Sequence, residues 1–168
     1  MFNRRELVVS TAAAALLGPS VALGGKASNF SLRNLSGQKV GLEDFADRVV
    51  FLSFWATWCG PCKVEMRHLH GFHQELKDKG LTVLFISIDD ARAGMAVKQY
   101  VRKNRYQEDL FLLDPQSTAV GLYNPKKTVP FSVLIGKDRG IVKVWEGFNP
   151  GEEGEVKAVI EAELAKTS

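Results

Sequence analysis

Two cysteines, Cys59 and Cys62, stand three positions apart in the segment Trp55-Ala56-Thr57-Trp58-Cys59-Gly60-Pro61-Cys62-Lys63, and the chain has no others. A Cys-x-x-Cys pair can exchange electrons, close a disulfide or hold a metal, and its setting decides among these. Here the pair follows an apolar run, Val49 to Trp55, and precedes a helical pattern that opens at Pro61. A helix N-terminus presents unpaired N–H groups and a positive partial charge. Both favour thiolate over thiol, which marks Cys59 as the nucleophile. Cys62, one turn in, can face Cys59 and resolve the mixed disulfide that Cys59 forms. Pro61 suits the first helical turn because it lacks only an N–H that would be unpaired there. Gly60 lets the backbone turn tightly beside the sulfurs. Trp55 and Trp58 are expected to pack beside the pair and exclude water.

Other chemistries fit less well. Structural zinc needs about four ligands, and there is no second cysteine pair. His68, His70 and His73 lie on the helix after Cys62 and project in several directions, so they read as solvated surface histidines and no metal is expected. A c-type haem requires Cys-x-x-Cys-His, and Lys63 follows instead. A structural disulfide closing so short a loop would add little through chain entropy. Redox exchange leads. The alternative is a binding module, a copper or peptide chaperone using the same cysteines, because soft thiolates suit Cu(I). Beyond the Cys59–Cys62 couple no cofactor is expected.

The elements that must position the pair follow from hydrophobic pattern. Val49–Trp55 reads as a buried central strand with neighbours on both edges and cover on both faces. A helix follows from Pro61, with Val64, Leu69, Phe72 and Leu76 at helical spacing and Gly80 as its stop. Leu81–Ile88 is a second buried strand. Ala91–Asn104 is an amphipathic helix with Met95, Val97, Tyr100 and Val101 apolar. Leu110–Leu113 is a short strand and Pro115–Leu122 a short helix. Two hairpins flank this block: Asn29–Leu32 with Lys39–Leu42 around Ser36-Gly37, and Phe131–Ile135 with Ile141–Trp145 around the turn 136–140. Glu152–Lys166 closes the chain as a helix. The order predicts an α/β architecture with a mixed central sheet flanked by helices.

At 168 residues the chain has room for one domain of the usual ~150 residues. Its net charge of +3 is scattered, with no basic run to suggest a nucleic-acid partner. Arg4-Arg5, the apolar run Leu7–Leu17 and Ser20-Val21-Ala22 have the three-part anatomy of a secretory signal. Residues 1–22 are therefore expected as a signal peptide, cut after Ala22, with 23–28 a short linker and 29–168 the folded domain. Arg4-Arg5 also echoes a twin-arginine signal. An uncleaved anchor is the weaker alternative, since Pro19 and the small residues interrupt the run. A periplasmic or otherwise exported location follows, where paired cysteines face an oxidising environment.

The segment Phe54 to Lys63 resembles the active-site segment of the thioredoxin superfamily, and is most similar to its exported TlpA/ResA-like branch. The resemblance implies a thioredoxin fold with an N-terminal β-hairpin extension (Asn29–Leu42) and an inserted β-α unit (within Leu81–Leu113). It implies a cis proline facing the disulfide, at Val129-Pro130, where the Val129 backbone pairs with substrate; unaided sequence reading makes this an ordinary trans proline. It also implies that Glu65 lies near the sulfurs and modulates their pKa, against the plain reading of an exposed first-turn glutamate. Ser53 stands where thioredoxins proper carry a buried Asp, so that proton route is absent. Arg67 stands at a usual proline, and Phe131 follows Pro130 where Thr is common. The implied function is a monomeric thiol–disulfide oxidoreductase. It would reduce exported clients such as apocytochrome c and draw electrons from a membrane donor of the DsbD/CcdA type.

Overall fold

The computed structural model describes residues 23–166, so the expected signal peptide lies outside the described residues. In chain order the elements are β1 (Ser31–Asn34), β2 (Lys39–Gly41), β3 (Val49–Trp55), α1 (Gly60–Leu76), β4 (Leu81–Ser87), α2 (Gly94–Lys103), β5 (Phe111–Leu113), α3 (Thr118–Tyr123), β6 (Phe131–Ile135), β7 (Ile141–Glu146) and α4 (Glu153–Leu164). The strands form one mixed sheet in the order β2-β1-β5-β4-β3-β6-β7. β3 runs parallel to β4 and antiparallel to β6, and β4 runs parallel to β5. The α/β fold, the two hairpins and the central position of Val49–Trp55 are as expected. Leu110 belongs to a short 3-10 turn before β5 rather than to the strand. Residues 24–27, within the segment expected as a linker, run along the β6–β7 turn, where Gly24 N–H bonds Ile141 O at 2.9 Å and Ala27 N–H bonds Arg139 O at 2.8 Å.

All seven residues of β3 are buried, because the strand has a neighbour on each edge and a core on each face. Side chains alternate across a strand. Val49, Phe51 and Trp55 face one core, shared with Met66 and Leu69 of α1, Val97 and Val101 of α2, and Val156 and Ile160 of α4. Val50, Leu52 and Phe54 face the other, shared with Ala119, Val120 and Tyr123 of α3 and with Leu42. The same alternation puts Ser53 on the α1 side. On β6, Leu134 packs into the α1-side core while Phe131, Val133 and Ile135 pack into the other. Ser132 therefore shares the α1 face, directly opposite Ser53 in the register.

Two expectations about helix faces are corrected. The buried stripe of α1 is Cys62, Glu65, Met66, Leu69, His73 and Leu76. His73 lies three turns on from Cys62, so it points into the sheet and is only 5% exposed. Its Nδ1 accepts a hydrogen bond from Val83 N–H at 3.3 Å. His70 packs against Tyr106, ring centroids 4.8 Å apart, with its Nε2 buried. Neither is a solvated surface histidine. Met95, expected on the apolar face of its helix, is 67% exposed. It lies in the first turn of α2, whose buried contacts come from Val97 and Val101.

Burial, reinforced by the positive charges of His70, Arg48 and Lys77, lowers the His73 pKa to about 4. The unfolded chain takes up this proton near pH 6.5, whereas the folded chain resists it down to about 4, so acid costs stability across that window. Urea denaturation of wild type and His73→Leu at pH 7.5 and 4.5 checks this. The variant should gain roughly 1–3 kcal/mol relative to wild type at the lower pH; an unchanged difference would contradict the assignment.

Candidate active site

The loop between β3 and α1 delivers Cys59 to the start of the helix. Cys59 is the N-cap of α1, in extended backbone at φ −93° and ψ 102°, with Pro61 in the first turn. Its Sγ accepts the Cys62 N–H at 3.2 Å, satisfying one of the donors that every helix leaves unpaired. Cys59 and Cys62 are joined as a disulfide, their Cα atoms 5.4 Å apart. Cys62 is fully buried and Cys59 nearly so.

The two tryptophans part company. Trp55 ends β3 and is fully buried against Tyr100 and Phe111, at 5.4 and 6.0 Å between ring centroids. Trp58 is 71% exposed, contrary to its expected packing role. It sits in the turn closed by Cys59 N–H to Ala56 O at 3.1 Å, beyond the end of the sheet. An exposed indole there supplies apolar surface beside the sulfurs rather than shielding them.

Glu65 is one helical turn past Cys62 on the buried stripe and is 3% exposed, so it is not an exposed first-turn glutamate. Ser53 Oγ donates to its Oε2 at 3.1 Å and Ser132 Oγ to its Oε1 at 2.8 Å. Burial raises its pKa to about 7, and the two hydroxyl hydrogen bonds hold the rise back. Ser53 itself does not titrate, but it is tied to a group that does. Sequence reading missed Ser132. The available signal was a second lone polar residue in an apolar strand, Phe131-Ser-Val-Leu-Ile135, in register with the first.

The Val129–Pro130 peptide bond is cis. Gly147 N–H holds the loop by bonding Pro130 O at 2.8 Å. Val129 packs at the margin of the core that contains both cysteines.

The model of the AhpC/TSA family matches residues 23–159. The chain belongs to the AhpC/TSA family. Within it, the chain is 34% identical over 124 residues to the thiol-disulfide oxidoreductase ResA of a Bacillus cereus strain, covering 72% of this chain and 68% of that protein. Among solved structures it is similar to a Chlorobium tepidum protein assigned as the thiol:disulfide interchange protein DsbE, at TM-score 0.78 and 30% identity over 86% of this chain and 99% of that one. A Bacteroides thetaiotaomicron protein assigned as a protein disulfide isomerase matches at TM-score 0.78 and 25% identity, over 87% and 92% of the two chains. This AhpC/TSA member is a thiol–disulfide oxidoreductase of the ResA type, with its disulfide at Cys59–Cys62.

The buried carboxyl gives the oxidoreductase a distinctive pH dependence. Folded Glu65 keeps its proton up to about pH 7, whereas the unfolded chain releases it near 4.5. The group therefore favours folding below pH 4.5, and that contribution is lost as pH rises to 7, roughly 3 kcal/mol in all. Glu65→Gln keeps the shape without the charge. Its stability relative to wild type should rise by about that amount between pH 4.5 and 8, read by urea denaturation of the oxidised protein. A difference that does not change with pH would show that Glu65 is not a buried acid.

Proposed function

We propose that the chain is an exported reductase of protein disulfides, with Cys59 as the attacking thiol and Cys62 as the resolving thiol. Its clients are secreted thiol proteins, with an apocytochrome c the leading candidate. In the first half-reaction the Cys59 thiolate attacks a client sulfur, and the client's other sulfur leaves as a thiol. Cys62 then attacks Cys59, the Cys59–Cys62 disulfide forms, and the client departs as a dithiol. Two electrons pass to the client and must be restored by a membrane donor of the DsbD/CcdA type. The leader read over residues 1–22 supports the exported location.

The observation that carries the direction is buried Glu65, one turn from Cys62. A strong oxidant such as DsbA owes its potential to a stabilised reduced form. A carboxyl group one helical turn from Cys62 opposes a second negative charge there and withholds that stabilisation. Gly60-Pro61 between the cysteines agrees, being the thioredoxin dipeptide. The Val129 N–H and C=O have no hydrogen-bond partner among the described residues, which supports their use by an extended client segment as an added strand. Exposed Trp58, next to Cys59 in the chain, offers apolar surface for a client.

Equilibration of the purified protein with glutathione buffers tests the direction. The expected potential lies near that of thioredoxin, about −270 mV. A value near that of DsbA, about −120 mV, would make the protein an oxidant instead. The gap of about 150 mV is roughly 7 kcal/mol for two electrons, so the two outcomes are well separated.

A further inference from the structure

The segment that carries Cys59 is tied to the end of β4 by a cluster of hydrogen bonds that the exchange chemistry does not itself require. Asp89, two residues past β4, is 8% exposed. Its Oδ2 accepts Thr57 N–H at 2.9 Å and its Oδ1 accepts Thr57 Oγ1–H at 2.6 Å. Ser87, the last residue of β4, donates its hydroxyl to Oδ2 at 2.8 Å and accepts Asp89 N–H at 3.1 Å. Between them, Ile88 N–H bonds Trp55 O at 2.9 Å. The loop from Trp55 to Cys59 is thus hydrogen-bonded at Trp55, Ala56, Thr57 and Cys59, and only Trp58 stands outside the set.

We propose that Asp89, acting through Thr57, is a positioning residue that holds Cys59 at the helix N-terminus when the disulfide is open. In the oxidised state the bond to Cys62 fixes Cys59 covalently. After reduction that tie is gone, and a capping sulfur is held only by weak hydrogen bonds and by the backbone behind it. A thiolate gains from the Cys62 N–H and the helix dipole only while it stays at the cap, since both effects fall off within a turn. The Asp89 clasp grips the backbone two residues before Cys59. It therefore acts on the electron-donating form, where the disulfide cannot. A carboxylate that accepts three hydrogen bonds at a buried site makes a stiffer anchor than a neutral acceptor would.

The inference rests on Cys59 being the attacking thiol, and the experiment separates the two. In a Cys62→Ala background the only thiol is Cys59, and the backbone N–H of position 62 remains. Thiolate absorbance then gives its titration, and reaction with a small aromatic disulfide at pH 6 gives its attack rate. Adding Thr57→Val removes the hydroxyl donor while keeping the side-chain shape. The Cys59 titration should move up by about half a pH unit and attack should slow about threefold. Thr57→Ser, which restores the hydroxyl, should bring both back. A Thr57→Val protein that melts lower but titrates and reacts like its parent would reduce the clasp to a structural contact and overturn the proposal. A parent in which Cys59 forms no mixed disulfide would instead overturn the assignment of the attacking thiol, and the proposal with it.

Discussion

The hydrogen bond from the Cys62 N–H to Cys59 Sγ is the interaction on which the rest of this molecule is arranged. It needs a helix that begins at Gly60, a strand that ends at Trp55, and four residues that cross between them in a fixed path. The strand is fixed because it is the buried centre of the sheet, held by β4 on one edge and β6 on the other. The helix is fixed because Met66, Leu69 and Leu76 anchor it in the core it shares with β3 and β4. Reactive sulfur thus sits where two rigid elements meet, on the side of the sheet reached by the C-terminal ends of parallel β3 and β4. Open α/β sheets place their ligands at such ends.

A second constraint opposes the first. The helix start favours negative charge on sulfur, while Glu65 one turn later is a buried acid that resists further charge. Its two oxygens are satisfied by hydroxyls from neighbouring strands, Ser53 and Ser132, which the antiparallel register sets face to face. Neutral hydroxyls can hydrogen-bond either protonation state of the carboxyl, so the site tolerates loss and gain of a proton near neutrality. A basic partner would have fixed the carboxylate and removed that option. Exchange of disulfides consumes and releases protons, and a buried group that titrates near pH 7 is suited to take part.

Much of this is legible in the sequence, for local reasons. Seven apolar-rich residues bounded by turn signals announce β3, and Cys-Gly-Pro-Cys after them announces a capped helix start. The two hairpins follow from alternation around Ser36-Gly37 and the 136–140 turn. The cis bond at Pro130 rests on resemblance alone, since its immediate neighbours carry no signal for it. What escapes sequence reading is tertiary. Histidine is usually solvated, and that habit hides His73, although it falls on the stripe begun by Cys62 and Leu69. Trp58 shares a segment with buried Trp55, but the sheet ends between them and leaves it in solvent. Ser132 and Asp89 draw their importance from partners 67 and 32 residues away, Glu65 and Thr57. No spacing rule reaches that far.

The central claim is that Cys59 is the sulfur activated by the helix start, with Cys62 buried behind it. Trapping of mixed disulfides on single-cysteine variants tests this most directly. Cys62→Ala, incubated with an oxidised protein substrate and quenched in acid, should accumulate a covalent complex that dithiothreitol releases. Cys59→Ala should accumulate none under the same conditions. A complex trapped by Cys59→Ala and absent from Cys62→Ala would contradict the claim, because the reactive thiol would then be Cys62, inside the helix rather than at its cap.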